Sequence, residues 1–421
     1  MNPWKSLSTY SSTVHASHPK VEGLSVHEET AVDTTFTVYR DFFRDGRKFT
    51  GKASFEVPGS DLRFPPGQQL AEAEQRAELG SDPWYPVSLE RPGSLPSKTS
   101  SLSKQALTDW IEPIRQTLLE AVAGNDFELQ NEFIRLSRQE LRYRDSSGHE
   151  LDDIRYVGYL EVFLLPKGQP EAHPFHGELH FSEFSPALFS NFLKEQGRLT
   201  LGTSRAVPFA RPRKEFPVVI RGQAVQQVFA YVMRQLRGPS LYSGASTLTR
   251  AQTLWGREST GDLVTLNALV LLYDSPETAL FDDQGTILKT QSLVKDGVVQ
   301  NFLTNQETAH WLGVPLTGLN RNLAVSPGTA DLRQLAGQEV LEVHRLRTAD
   351  IEESTGEFVA EVELADFHSG SHKTPVFGFA LKGNLRDALS RAQFSREIGS
   401  WENFEGPEFL LVPSTCVLEA L

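Results

Sequence analysis

Arg347–Phe367, RTADIEESTGEFVAEVELADF, is the stretch whose reading decides the fold. Phe358, Ala360, Val362 and Leu364 fall on one face, while Glu361, Glu363 and Asp366 fall mostly on the other. A period of two marks a half-buried antiparallel strand. Thr355-Gly356 supplies the turn ahead of it, and the polar loop His368–Lys373 folds it into a hairpin with Val376–Leu381. Gly383-Asn384 then opens an amphipathic helix that carries Leu385, Ala388, Leu389 and Ala392 at helical spacing. The stretch reads as framework and holds no active-site pattern.

Outward from it, composition narrows the function. The chain has 421 residues, enough for two domains and a large buried core. Its 54 acidic residues against 41 basic ones give a net charge of −13, the wrong sign for a nucleic-acid surface. Cys416, the single cysteine, has no partner for an internal disulfide, so a reducing cytoplasm is the expected compartment. No apolar run approaches the ~20 residues needed to cross a bilayer, and the first residues lack a basic-then-apolar leader pattern. Neither a membrane nor a nucleic acid is an expected partner.

Along the chain, the first ~20 residues are polar, without a period, and read as a flexible tail. Thr34–Val57 predicts two strands joined at Asp45-Gly46. Gln68–Leu79 and Leu107–Val122 predict helices, with a Pro- and Ser-rich connector over Asp82–Ser103 between them; Pro113 should start or kink the second helix. Phe127–Leu136 and Glu140–Arg144 read as strands flanking a break. Ile154–Leu165 and Phe175–Phe181 follow as strands, and a helix begins at Pro186 with Ser185 as its N-cap. Ala210–Pro217, charged and proline-bearing, marks a strap between domains. Phe216–Ile220 then reads as a strand and Gln223–Leu236 as a helix. Val264–Tyr273, nearly all apolar, is the expected centre of a sheet. Together these predict an α+β protein of two domains, 1–215 and 216–421. The C-terminal domain is expected to be a strongly curved, mainly antiparallel sheet with flanking helices.

With these landmarks placed, the chain resembles the TldD/PmbA family, described as modulators of DNA gyrase and understood as metal-dependent peptidases. Ser147-Gly148 sits where the family has a turn between strands. Phe281–Gly285 (FDDQG) followed by Leu293–Gly297 (LVKDG) is similar to a family hairpin, and Asn320-Arg321 precedes Pro327-Gly328. Thr355–Phe358, Pro375-Val376, Gly383–Leu385 and Pro407–Val412 resemble the closing signature of its C-terminal domain. The likeness is closest from Pro217 to the end, looser over Gln68–Leu165, and the family's opening helix is missing.

The chemistry departs from the catalytic branch. Active members carry His-Glu-x-x-x-His on the first helix of the second domain, where two imidazoles bind zinc and the glutamate activates water. The matching helix here, Gln223–Leu236, contains no His, Cys or Glu. The pairs His27-Glu28 and His149-Glu150 have no second imidazole at the required spacing, and Cys416 lies far from the family's third ligand. The resemblance therefore implies the PmbA (TldE) branch: a pseudoenzyme, a dimer with itself or with a His-Glu-x-x-x-His paralogue, in a complex acting on unfolded peptides. No cofactor is expected in this chain, and zinc is expected only in a motif-bearing partner.

Other residues admit both a functional and a purely structural role. His176, Glu178 and His180 at i, i+2 and i+4 of a strand share one face and could hold a divalent metal; equally, they face water while Phe175, Leu179 and Phe181 pack. His368 and His372 flank a loop tip and read as a solvated turn. Asn320 and Arg321 could hold a substrate carboxylate or backbone carbonyl, or merely cap a turn. Gly238–Thr247 lacks the Gly-Lys-Ser/Thr of a phosphate loop, and no Gly-x-Ser-x-Gly elbow follows a strand. The alternatives to a partner subunit are a stand-alone peptide-binding scaffold and a hydrolase with its metal moved to His176, Glu178 and His180.

Overall fold

The computed structural model describes residues 2–19, 24–87, 95–209, 215–256, 259–335 and 337–420. The strands are β1 (Trp4–Pro19), β2 (Ser25–Arg44), β3 (Arg47–Pro58), β4 (Phe127–Asp145), β5 (Glu150–Pro166), β6 (Phe175–Phe181), β7 (Val207–Pro208) and β8 (Glu215–Arg221). After these come β9 (Leu266–Leu269), β10 (Gln291–Lys295), β11 (Val298–Val299), β12 (Asn322–Val325), β13 (Val340–Ile351) and β14 (Glu357–Ser369). The last are β15 (His372–Phe377), β16 (Phe379–Asn384), β17 (Gln393–Phe394), β18 (Ile398–Trp401), β19 (Phe404–Pro407) and β20 (Phe409–Ala420). The α-helices are α1 (Gly67–Ala77), α2 (Ile111–Val122), α3 (Pro186–Arg205), α4 (Gln223–Gln235), α5 (Gly238–Tyr242), α6 (Gln306–Leu312) and α7 (Leu385–Arg391). The chain is α+β and contains a curled antiparallel half-barrel sheet.

Three sheets carry these strands. The first runs β3-β2-β1-β4-β5-β6, antiparallel throughout, and α2 and α3 bury Ile114, Leu118, Phe189 and Leu193 in its core. The second runs β11-β10-β9-β12-β19-β18. The third runs β13-β8-β20-β16-β14-β15-β7, and β13 pairs with β14 as well as with β8, so its path curls back on itself. Side chains of the second and third sheets share one core with α4 and α7: Leu266, Leu323 and Phe404 from one, Val218, Leu341 and Leu410 from the other. Among the described residues, no helix is long and apolar enough to cross a membrane.

Several local readings hold. Asp45 (φ 51°) and Gly46 (φ 73°) form the tight turn between β2 and β3. The Ser185 hydroxyl accepts from the Leu188 N–H at the start of α3, and Asn384 accepts from the Arg386 and Asp387 N–H groups at the start of α7. Pro113 stands in the first turn of α2, where its missing N–H costs nothing.

Others are corrected. The expected flexible tail is strand β1, paired with β2 on one side and β4 on the other. Its hydrophobic period was hidden because Ser and Thr occupy inward positions and satisfy each other: Ser8 with Thr34 at 2.9 Å, Thr13 with Ser137 at 3.0 Å. The expected break near residue 137 is likewise absent, and β4 runs unbroken from Phe127 to Asp145. The predicted strand Val264–Tyr273 shortens to β9, which does lie inside its sheet, while Leu271 and Tyr273 turn out to solvent. Of the expected strap, Ala210–Lys214 lies outside the described residues, as does the Cys416 side chain, and Glu215–Pro217 belong to β8.

The deciding hairpin folds as read up to Val362, then changes face. The β13–β14 register slips at Val343/Arg345, Arg345/Leu346 and Leu346/Thr348. Each one-residue slip moves the following side chains to the opposite face. Ala360 and Val362 point into the shared core, but beyond the slip it is Ala365 and Phe367 that do so. Leu364 packs instead on the other side, with Leu199 of α3.

Candidate functional site

Helix α4, where the family resemblance would place the zinc ligands, starts after Gly222 (φ 61°). Val225, Val228, Phe229 and Val232 are buried in the common core, as helical spacing requires. Its polar groups are engaged too: Arg386 of α7 donates to the Tyr231 hydroxyl at 3.0 Å and to Gln235 Oε1 at 2.9 Å. No side chain of α4 can coordinate zinc, so the residues present do not fit the family's metal there.

His176, Glu178 and His180 do share the outward face of β6, as the period of two requires. His176 Nε2 lies 2.9 Å from Glu161 and 3.3 Å from Glu178, whereas the His180 ring packs on Tyr159 with centroids 5.0 Å apart. Among the described residues, the one His/Cys/Asp/Glu group of three with ligand atoms within 4.8 Å of one another is Glu342, His344 and Asp366.

That group is built by the slipped register. Glu342 on β13 stands opposite Asp366 on β14, and His344 and His368 follow two residues on from each. The Arg221 guanidinium donates to Glu342 at 2.7 Å, and His368 Nε2 contacts the other oxygen at 2.9 Å. Lys373 pairs with Asp366 at 2.9 Å, and Arg198 of α3 reaches His344 Nδ1 at 3.2 Å. An arginine can only donate, so Nδ1 accepts and the ring proton sits on Nε2, which donates to Asp366. Burial pushes the Glu342 carboxyl up, but the Arg221 hydrogen bond, with His368 and Lys373, outweighs it and holds it at about 2. Burial acts likewise on Asp366, and the bonds from His344 and Lys373 hold it at about 2. Both carboxylates are already matched by cations, so the group works as an ion network fastening α3 to the third sheet. Sequence reading missed it although both strands show an acid and a histidine at i, i+2.

Arg321 lines a cleft, and Asn320 beside it turns inward. Asn320 is fully buried and its amide donates to the Lys289 carbonyl at 2.9 Å. The cleft, of about 310 Å³, lies where α4 ends, between the turn Asp282–Gly285, the start of α6 and the loop before β12. Ala279, Phe281, Leu288 and Leu319 form its apolar wall; Arg237, Asp282, Asp283 and Arg321 bring charge to it. Asp282 Oδ1 accepts the N–H groups of Gln284 (3.0 Å) and Thr286 (2.9 Å), which shapes the turn. Burial, reinforced by Asp283, raises the Asp282 carboxyl against those N–H donors. From the first sheet, Lys5 donates to the Gln284 carbonyl at 3.0 Å, and burial lowers that lysine to about 8 despite Asp282, Asp145 and Glu307.

Asp274 marks a second contact between the sheets. At φ 58° it accepts the N–H groups of Ser182 and Glu183, each at 2.7 Å. Burial lifts its carboxyl to about 6, and those two donors offset only part of the rise. The folded state therefore holds this proton more tightly than the unfolded state, and stability falls as pH rises from about 4 to about 6. Asp274→Asn keeps the acceptor oxygen, tolerates the left-handed backbone and removes the charge. The variant should be more stable than the parent by about 1–2 kcal/mol at pH 8 and equal to it near pH 3.5, by thermal denaturation at both pH values. A parent that is the more stable of the two at pH 8 would show that the carboxylate charge is needed.

Comparison with known proteins places this geometry. Residues 213–417 match the model of the PmbA/TldA metallopeptidase C-terminal domain. The fold is similar to TldE from Thermococcus kodakarensis, with TM-score 0.75 at 15% identity over 99% of this chain and 97% of that one. It is also similar to a protein described as a DNA gyrase modulator from Thermotoga maritima MSB8, with TM-score 0.76 at 14% identity over 99% and 96%. A third such protein, from Bacteroides thetaiotaomicron VPI-5482, aligns with TM-score 0.72 at 16% identity over 100% and 95%. No curated protein matches the sequence. The fold and the matched domain define a metallopeptidase-related protein. Through that C-terminal half, the chain belongs to the TldD/PmbA family.

Proposed function

We propose that this chain is the non-catalytic partner subunit of a TldD/TldE-type metallopeptidase complex acting on unfolded peptides in the cytoplasm. The observation that carries the reading is α4, which keeps its place in the core with apolar and amide side chains where catalytic members need two imidazoles and a carboxylate. Its likeness in fold to TldE supports the same assignment. In this reading the chain is two domains meeting near residue 215. It dimerises, with a His-Glu-x-x-x-His paralogue or with itself, to close a chamber around a metal that the paralogue alone supplies. Sheet edges lining such a chamber suit extended peptides, because main-chain pairing tolerates varied side chains.

Amide hydrolysis at neutral pH needs an activated nucleophile and oxyanion stabilisation; α4 offers no ligand for a metal-bound water, and no Gly-x-Ser-x-Gly elbow follows a strand. The pure chain should therefore leave an unfolded peptide intact and carry well under one equivalent of zinc. A motif-bearing paralogue should co-elute with it in size-exclusion chromatography and cleave faster in its presence. Chelator-sensitive cleavage by the chain alone would overturn the reading. No complex and no change in the paralogue's rate would leave a stand-alone scaffold instead.

A further inference from the structure

The cleft beside α4 is lined by both arginines and aspartates, and neither charge is fully answered. The Arg237 Nε is buried without a hydrogen-bond partner, and among the described residues no carboxylate pairs with its guanidinium. Its charged neighbours are Arg321 and Arg234, which together with burial lower its basicity. An arginine stays protonated all the same, so this is a cation that costs stability until an anion reaches it. Among the described residues, Arg321, beside it, pairs only with Glu277, at 3.1 Å on the exposed side. Of the lining aspartates, Asp282 has its Oδ2 buried and unpartnered, and Asp283 is exposed next to it.

We propose that this cleft binds a short peptide with both termini free. The α-carboxylate lies on Arg237 and Arg321, the α-amino group on Asp282 and Asp283, and the side chains lie along Phe281, Leu288 and Leu319. Guanidinium groups suit a carboxylate because their parallel N–H donors match its two oxygens. The volume of about 310 Å³ is at the small end for ligand sites, which selects a di- or tripeptide over a longer chain. A small anion such as phosphate would satisfy only the arginines, and a lone amine only the aspartates. The peptide class rests on the partner-subunit reading, since such a complex releases short peptides; the mixed charge of the lining does not.

Isothermal titration of the intact chain with trialanine, its N-acetylated form, its C-amidated form and inorganic phosphate tests the site. Trialanine should bind, and either cap should weaken binding about tenfold or more, the loss expected for one charged hydrogen-bonded contact. Arg237→Gln should do the same. If that variant loses its native circular dichroism, the exposed Arg321→Gln takes its place, with an expected loss of several-fold. No heat from trialanine up to about 10 mM would overturn the proposal, as would equal binding of the capped forms or tighter binding of phosphate. Complex formation with a paralogue is a separate measurement, so either idea can fail while the other stands.

Discussion

Glu342→Ala should destabilise the protein by about 3–5 kcal/mol, the cost of breaking a buried charge pair by removing one partner. Glu342 is 6% exposed and answers Arg221, His368 and, at 3.6 Å, Lys373. Alanine leaves Arg221 with Glu408 alone, at the rim of the sheet, and His368 without its acceptor. Lys373→Ala should cost under about 1 kcal/mol, because that ammonium is half exposed and its pairs are screened. The pH dependence has a definite sign. Glu342 and Asp366 both lie at about 2 in the fold, below their ordinary 4.5 and 3.8. Their contribution is complete above about pH 4.5 and is lost as pH falls through about 2. Urea unfolding at pH 7 and pH 3 checks both statements: the gap between parent and Glu342→Ala should narrow at pH 3. A gap below about 1 kcal/mol at pH 7 would mean that the network is only a surface feature.

Gly285→Ala should cost about 3–4 kcal/mol and abolish trialanine binding, for two separable reasons. Gly285 has φ +77°, a conformation that disfavours any side chain. A Cβ there would also sit 2.3 Å from the Tyr143 ring. That ring cannot yield, since it is 3% exposed and packs against Phe281, whose centroid lies 6.4 Å away. Gly46→Ala is the control: its φ is +73°, but nothing lies within 4 Å, so only the backbone cost of about 1 kcal/mol remains. Equal losses in the two variants by thermal denaturation would show that Tyr143 does not hold the turn. A Gly285→Ala protein that still binds trialanine would detach the cleft from Asp282–Gly285.

Wherever a few neighbouring residues suffice, the sequence was legible. The Asp45-Gly46 turn, the Ser185 and Asn384 caps and the spacing of Val225, Val228, Phe229 and Val232 are each set by local backbone chemistry. The residue types of α4, with no His, Cys, Asp or Glu among them, are likewise read directly from the sequence. What the chain alone determined, then, is its turns and caps, its major helices and its family. Tertiary structure decided the rest. Strand β1 became visible only through Thr34 and Ser137, hydroxyl partners 26 and 124 residues away from Ser8 and Thr13. The Glu342 network depends on register slips between β13 and β14, which no period within one strand can reveal. The cleft needs the end of α4, the Asp282 turn and the loop at Arg321 brought together. Registers and long-range contacts are set by the burial of the whole core, and no short stretch of chain contains that information.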